Sequence, residues 1–422
     1  MRSIFIPLLM ILLLSGISKA QTFSAKDIIP VDHKERYLDS LVKSIGDKRI
    51  VAIGEDTHGT GDFYELRAAI TKRLIRDKGF ITVILENPHE DMMALQAGLT
   101  KDNLDTLMRK HLFAIYQSKE MKDFLVWFGK QAARNEKLKL AGCDDSYREL
   151  LPAYLLQAAA RYKDDSLNNM LHEFELRQTL DAKHFYARVT GPKPDSVPKT
   201  MAYMREAYKL ADHIDSFCTG RQYNDPLLKE LLMHAKTAYI YYDRFAMQLP
   251  VSRDEIMGVR INHYAADPSA KVIVWAHSGH ISRYAWLMDE VGLMGATVVK
   301  AFPNDYFAIG LSGGTGTYSY IKGRFINDDH DFSDSLFNAK LHEPLNDSWN
   351  KELMKLSSTG FLLDFAKLPA NVKAEMKRSR SIKMLGYGKE SGDGKDYYPV
   401  VLMDLFDALI FLPETRHTRA VF

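Results

Sequence analysis

Cysteine and net charge are both scarce in this 422-residue sequence. Its only cysteines are Cys143 and Cys218, which excludes a scaffold built on disulfides, and we do not expect the two to pair. There are 56 Lys and Arg residues against 54 Asp and Glu residues. Nucleic-acid binding by counterion release needs a basic surplus, so the balance excludes a nucleic-acid partner. No internal repeat or low-complexity tract is visible.

The sequence also lacks an apolar run long enough to cross a membrane. Residues 4–14 are apolar but fall short of the roughly 20 residues that a spanning helix needs. They follow a basic start and precede small residues that end at Ala20, which is the pattern of a secretory signal peptide at residues 1–20. We therefore expect a mature chain from Gln21, exported to the periplasm or the medium, with no stable membrane insertion after cleavage.

Short apolar runs rich in β-branched residues recur along the mature chain. Each ends in a polar cluster, and helical periodicity separates them; they cover residues 50–53, 81–85, 138–141 and 272–275. This alternation is typical of a parallel α/β sheet. Residues from about 150 to 260 are rich in Leu, Ala, Tyr, Met and charge. The sequence thus predicts an α/β fold with a mostly parallel central sheet flanked by helices and a large, mainly α-helical insertion.

The C-terminal part of the chain gives weaker signals. Further strands are predicted at residues 297–302, 306–311, 318–321 and 408–412, with a Gly-rich turn at 313–316, whereas 321–400 has no assignable pattern. Residues 310–314 match the string G-x-S-x-G around Ser312. A nucleophile elbow must run from strand through tight turn to helix. Another β-like run follows here, so we expect a hairpin turn instead.

Ionisable residues follow all four of the first predicted strands. These residues are Glu55 and His58, then Glu86, then Asp144, and finally His277 and His280. Catalytic groups gather outside the carboxyl ends of parallel strands, so we expect one shared polar site. Imidazoles and carboxylates suit either general acid–base catalysis or a metal site. The two late histidines lack the spacing of a helical zinc-protease motif, so a metal is not required.

Several motifs in this order resemble the erythromycin esterase family. They are Gly-Glu-Asp-Thr-His-Gly at 54–59, Arg67, Glu86, Arg253-Asp254 with Met257, Trp-Ala-His-Ser-Gly-His at 275–280, and Phe-Asp-Ala-Leu-Ile at 406–410. The resemblance covers nearly the whole mature chain. It implies an α/β core with helical insertions and hydrolysis of an ester or macrolactone bond by water, without a covalent intermediate. It also implies a macrolide antibiotic as the small-molecule substrate, and hence antibiotic resistance, with no cofactor and no metal.

The same resemblance implies roles for individual residues. His58 would be the general base, and the other residues of the cleft would be Glu55, Glu86, Arg67, Arg253, His277 and His280. Glu86 could hold the His58 ring, and Arg253 or His280 would stabilise the oxyanion. Arg67 and Arg253 could equally form ion pairs that tie helix to sheet, and Asp144 suits a supporting role.

Two other interpretations of the cleft stay open. In one, the chain is a metal-dependent hydrolase, such as a peptidase, with the same glutamates and histidines as ligands. In the other, it is a binding protein without catalysis that holds iron, haem or a glycan.

Overall fold

The computed structural model describes most of the chain after its first residues. The described residues are 24, 26–32, 35–100, 103–144, 150–190, 196–246, 252–284, 293–321, 335–389 and 394–422; the side chains of 179–190, 196–204, 239 and 241–246 are not among them. The signal peptide predicted at 1–20 lies outside the described residues. None of the described helices is long and apolar enough to cross a membrane.

A mixed, mostly parallel sheet forms the centre of the described chain. Its strands are β1 (Ile29–Pro30), β2 (Ile50–Ile53), β3 (Thr82–Pro88), β4 (Lys139–Asp144), β5 (Val272–Trp275), β6 (Tyr306–Tyr320), β7 (Phe337–Lys340), β8 (Phe361–Asp364) and β11 (Ala408–Thr415). Their order is β1-β8-β11-β6-β2-β5-β3-β4, and β7 pairs with the end of β6. The strands β9 (Arg380–Lys383) and β10 (Tyr397–Val400) form a separate antiparallel pair.

All pairings among β4, β3, β5, β2, β6 and β11 are parallel, which confirms the predicted fold class. β2 lies between β5 and β6, with Ile50 opposite Val272 on one side and Tyr306 on the other. At one end of the sheet, the edge strand β1 pairs antiparallel with β8, and β8 pairs antiparallel with β11. Because β2 and β5 are covered on both faces, their sequences are apolar throughout rather than alternating.

Helices cover both faces of the sheet. They are α1 (Arg36–Ile45), α2 (Gly61–Lys78), α3 (His89–Gly98), α4 (Leu104–His111), α5 (Lys119–Ala132), α6 (Leu151–Ala159), α7 (Asp165–Thr190), α8 (Ser196–Gly220), α9 (Pro226–Ala246), α10 (Arg253–Tyr264), α11 (Ser278–Ile281), α12 (Met294–Ala301), α13 (Trp349–Met354), α14 (Ala370–Met376) and α15 (Leu402–Leu405). Alternate residues of β2 face opposite layers: Val51 and Ile53 belong to the core cluster with α1, α2 and α5, and Ile50 and Ala52 to the cluster with α10 and α12. This is the two-residue period of a strand buried on both faces.

The predicted helical insertion corresponds to α6 through α10. Helices α6 to α9 share an apolar cluster of their own, which includes Leu155, Leu171, Ile214 and Leu232. Helix α10 then packs against α9, α12 and β4 and so returns the chain to the sheet. Cys143 and Cys218 are buried and unpaired.

Three predictions for the C-terminal part were wrong or incomplete. The strand predicted at 297–302 is the helix α12, and the turn predicted at 313–316 lies inside β6, which runs from Tyr306 to Tyr320. Gly316 adopts a φ of +119°, and a Cβ there would come within 2.1 Å of the carbonyl oxygen of Thr415. The glycine thus allows β6 and β11 to stay paired rather than turning the chain. The described residues of the unassigned stretch 321–400 contain β7 to β10 and two α-helices.

Candidate functional site

The turn between β2 and α2 carries Glu55 and His58. Nδ1 of His58 lies 2.7 Å from Oε1 of Glu55, and both side chains are buried. Because a carboxylate can only accept, Nδ1 donates the proton and the neutral ring keeps the lone pair of Nε2. Within the described part of the chain, Nε2 has no hydrogen-bond partner. The pair therefore has the form of an imidazole base oriented by a carboxylate.

Arg67, on α2, is fully buried behind this pair. Its Nη1 lies 3.0 Å from Oε1 of Glu55, and its Nη2 donates to the carbonyl oxygen of Ala276 at 2.5 Å. The guanidinium balances the buried Glu55 and ties α2 to the end of β5. Because its side chain is 0% exposed, this contact favours the ion-pair interpretation of Arg67 over contact with a substrate.

Glu86, near the end of β3, links the residues that follow β5 to the site. Its Oε2 accepts from the backbone N–H of His277 at 2.8 Å, and its Oε1 lies 3.1 Å from Nε2 of His280. Burial alone would raise the pKa of Glu86, but nearby positive charge, chiefly on His280, outweighs burial and holds the pKa well below its usual range. Glu86 is therefore ionised at neutral pH.

His280 is held between two carboxylates. Nε2 faces Glu86, and Nδ1 lies 2.8 Å from Oδ1 of Asp254. Burial alone would lower the pKa of His280, but Glu86 and Asp254 outweigh burial and raise the pKa to about 10. His280 is thus an imidazolium whose two N–H groups are both engaged.

His277 differs from His280 in its protonation state. Its Nδ1 accepts from the backbone N–H of Gly279 at 3.2 Å, so Nε2 carries the proton and faces the carbonyl oxygens of Leu385 at 3.2 Å and Asp56 at 3.3 Å. Burial, and then the charges on His58 and His280, lower the pKa of His277 to about 3. His277 is therefore a neutral ring without an available lone pair.

Arg253, the first residue of α10, is more exposed to solvent than the other cations of the site, His280 and Arg67. Its side chain is 42% exposed, its Nε donates to Oδ1 of Asp144 at 2.9 Å, and its Nη2 contacts Asp144 and lies 3.4 Å from Oε1 of Glu86. Asp144, at the end of β4, is buried and orients the guanidinium, as its predicted supporting role requires.

The structure brings the predicted residues to one edge of the sheet but connects them differently from expectation. The prediction that Glu86 holds the His58 ring was wrong, because Glu55 does so and Glu86 binds His277 and His280 instead. The predicted hairpin around Ser312 was also wrong. Ser312 lies buried within β6 and donates to Oδ2 of Asp56 at 2.6 Å, so it has neither the turn nor the exposure of a nucleophile.

Sequence reasoning missed four residues that shape the site. Asp254 was visible next to Arg253, but its position at a helix start is typical of a cap. Asp56 had no separate signal beside Glu55. Leu385 contributes backbone groups from the stretch that could not be assigned, and Tyr387 on the same segment places its ring 6.1 Å from that of His58.

Among the residues that the structure describes, the one group of side chains spaced to hold a metal is His89, Glu230 and His234. The hydroxyl of Tyr264 lies 3.0 Å from both Glu230 and His234, and Lys139 forms an ion pair with Glu230. His89 and Glu230 bind each other, whereas Nδ1 of His234 has no hydrogen-bond partner within the described chain. The group joins α9 and α10 to α3 and β4.

The family model described as Erythromycin esterase matches residues 75–415 of the chain. Erythromycin esterase type II of Escherichia coli is 23% identical over 387 residues, covering 84% of this chain and 90% of that protein. The putative hydrolase YbfO of Bacillus subtilis (strain 168) is 22% identical over 298 residues, covering 64% of each.

Solved structures show the same fold. A Bacillus cereus protein superposes with a TM-score of 0.75 at 19% identity, covering 94% of this chain and 97% of that one. A succinoglycan biosynthesis protein gives 0.72 at 17%, covering 94% and 96%. A mutant of the erythromycin esterase EreC in its open conformation gives 0.63 at 14%, covering 92% and 96%. At these identities the likeness extends to the fold alone.

Proposed function

Because the chain belongs to the erythromycin esterase family, we propose that it is a hydrolase that cleaves an ester or lactone bond with water activated by His58. The observation that carries the proposal is the Glu55–His58 pair, with Nδ1 bound to the carboxylate and Nε2 open. An imidazole titrates near neutrality and so suits proton transfer from water at physiological pH.

The proposed reaction has two steps. Nε2 of His58 takes a proton from water as the water oxygen bonds to the carbonyl carbon, and the carbonyl oxygen becomes an oxyanion. The intermediate then collapses, the bond to the leaving alkoxide breaks, and the His58 imidazolium returns its proton to that alkoxide. The products are a carboxylic acid and an alcohol, which remain one molecule when the substrate is a lactone.

Arg253 is the better of the two candidates for oxyanion stabilisation. Both N–H groups of His280 are engaged by carboxylates, so His280 would have to break an ion pair to donate to the substrate. Arg253 is partly exposed and is oriented by the buried Asp144. Removing one such donor costs about 3–4 kcal/mol in the transition state in a comparable site.

Hydrolysis without a covalent intermediate and without a metal agrees with the contacts of the described residues. His58 bonds to Glu55 rather than to a hydroxyl or thiol, and Ser312 is buried against Asp56. A metal ligand needs an open lone pair. In the described contacts, Nδ1 of His277 accepts from the N–H of Gly279, and both nitrogens of His280 face carboxylates.

The test is mass spectrometry of a macrolide lactone and of simple esters after incubation with the protein, since a gain of one water mass reports hydrolysis. His58→Gln should lower the rate by about 10²–10⁴-fold, because glutamine can still donate to Glu55 but cannot accept a proton from water. The melting temperature should change little.

His172→Gln is the matched control, since His172 lies exposed on α7. It should retain full activity. Undiminished turnover in His58→Gln would remove His58 from the mechanism, and a wild-type protein that hydrolyses none of these substrates would overturn the proposed function.

A further inference from the structure

Asp56 lies between the two residues of the proposed base pair, and its carboxylate is saturated with hydrogen bonds. Oδ2 accepts from the hydroxyl of Ser312 at 2.6 Å, the backbone N–H of Gly313 at 3.0 Å and the amide of Asn350 at 3.4 Å. Oδ1 accepts from the hydroxyl of Thr57 at 2.9 Å. Asp56 is 1% exposed, so none of these bonds competes with bulk water.

The backbone of Asp56 is also fully used. Its N–H donates to the carbonyl oxygen of Leu311 at 2.9 Å, which continues the pairing of the chain with β6. Its carbonyl oxygen accepts from the N–H of Leu385 at 2.6 Å and lies 3.3 Å from Nε2 of His277. One residue thus joins the β2–α2 turn to β6, to the segment after β9 and to His277.

Lys383, at the end of β9, is a buried cation linked to Asp56 through Asn350. Its side chain is 1% exposed, and within the described chain its Nζ has no hydrogen-bond partner. A buried ammonium without a counter-charge is costly. Burial raises the pKa of Asp56, and the charge of Lys383 opposes that rise. The backbone N–H of Lys383 also donates to Asn350, which holds Asp56.

We propose that Asp56 is a positioning residue, which fixes the turn carrying Glu55 and His58 through its bonds to Ser312, Gly313 and Leu385. The inference deepens the proposed hydrolase function and rests on it for its kinetic test. Asp56 never touches the substrate and acts through the geometry of the base pair. A displacement of about 1 Å in a catalytic group can cost 10²-fold in rate, so this anchor has a measurable effect.

Asp364→Asn provides a matched control for Asp56→Asn. Like Asp56, Asp364 is a buried carboxylate that accepts a hydrogen bond from a serine hydroxyl, here that of Ser44. It also forms an ion pair with Lys367. It lies opposite Ala408, the first residue of β11, and therefore at the edge of the sheet away from the carboxyl ends. Both variants replace one carboxylate oxygen by an NH2 group and leave the side-chain volume nearly unchanged.

The experiment measures the crystal structures, kcat, KM and the pH profile of both variants on the ester or lactone that the wild type hydrolyses. In Asp56→Asn we expect the distance from His58 Nδ1 to Glu55 Oε1 to increase beyond hydrogen-bond length. We also expect kcat to fall by about 10–100-fold with KM changed less than about threefold, and the acid limb of the rate to move to lower pH as Glu55 stops supporting the imidazolium. Asp364→Asn should match the wild type in all four.

An unchanged distance and pH profile in Asp56→Asn would overturn the proposal, even if that variant melts at a lower temperature. If Asp56→Asn does not fold, Ser312→Ala decides in its place, since it removes one of the bonds to Asp56. A smaller change in the same direction supports the proposal, and wild-type geometry refutes it. If the wild type proves inactive, the proposed function fails, while the crystallographic distance still decides the role of Asp56.

Discussion

His280 offers a quantitative test of the electrostatics of the site, through the substitution His280→Gln. The imidazolium lies between Glu86 and Asp254, whose side chains are largely buried. Glutamine keeps one donor but removes the charge, so two buried carboxylates lose their shared cation. Breaking a buried ion pair by removing one partner costs about 3–5 kcal/mol.

The pH dependence of that cost has a definite sign. The pKa of His280 is about 10 in the folded protein, against 6.5 for an ordinary histidine. A raised folded-state pKa stabilises the protein fully below pH 6.5, and the contribution is lost as pH rises from 6.5 toward 10. About 3.5 units at 1.36 kcal/mol each set a ceiling of about 5 kcal/mol. Solvent reaches 21% of the His280 side chain, so we expect about 2–3 kcal/mol.

The assay is urea unfolding of the wild type and His280→Gln at pH 6, 7.5, 9 and 10. The difference between the two free energies reports His280 together with Glu86, whose pKa His280 holds down, because groups distant from this pair titrate alike in both proteins. It should be largest at pH 6 and shrink by at most about 1.4 kcal/mol per pH unit. His172→Gln should show no such difference at any pH. A destabilisation of His280→Gln that is the same at pH 6 and pH 10 would refute the assignment of a charged imidazole.

Two further predictions concern nucleophile and metal. Ser312→Ala should lower the rate by less than about tenfold, because it removes one of several hydrogen bonds to Asp56. Intact-protein mass spectrometry of the wild type during turnover should show no acyl adduct. An adduct mapped to Ser312 would establish covalent catalysis. Exhaustive EDTA treatment should leave the rate unchanged, because the nitrogens of His277 and His280 already form hydrogen bonds within the protein. Loss of activity that zinc or manganese restores would establish a metal mechanism.

The sheet was predictable where burial on both faces leaves a continuous apolar run. Residues 50–53 and 272–275 became β2 and β5 because nothing but apolar side chains fits a strand covered on two sides. The same rule failed at 297–302, since the short run Thr297-Val298-Val299 has the composition of a strand but forms part of α12. Short apolar runs do not distinguish strand from buried helix, and only tertiary packing decides.

Glycine misled the prediction of β6 for a related reason. A Gly-rich stretch usually marks a turn, yet Gly313 and Gly316 lie inside a continuous strand. A Cβ at Gly313 would come within 2.7 Å of the Thr415 side chain on the neighbouring strand β11. These glycines are required because the two strands approach closely, and the sequence of one strand does not show which strand will lie beside it.

The location of the site was predictable, whereas the state of each histidine was not. Strand ends in a parallel sheet place Glu55, His58, Glu86, His277 and His280 at one edge, and this follows from the order of runs and polar clusters alone. Which carboxylate meets which imidazole depends on side-chain directions that spacing does not encode. Glu55 is three residues from His58 and contacts its ring, while Glu86 contacts His277, which follows β5.

The three histidines of the cleft differ because different groups contact them, and for His277 and His280 these groups come from segments distant in sequence. His58 has a carboxylate on one nitrogen only and can gain a proton at the other. His280 has a second carboxylate, Asp254, which comes from the end of the helical insertion and fixes its charge. His277 meets the carbonyl oxygen of Leu385, which comes from the segment after β9 and accepts the Nε2 proton, while burial keeps the ring neutral. The choice of base therefore rests on the insertion and the C-terminal segment as much as on the motifs, and substitutions at Asp254 or near Leu385 would redistribute the protons without altering a histidine.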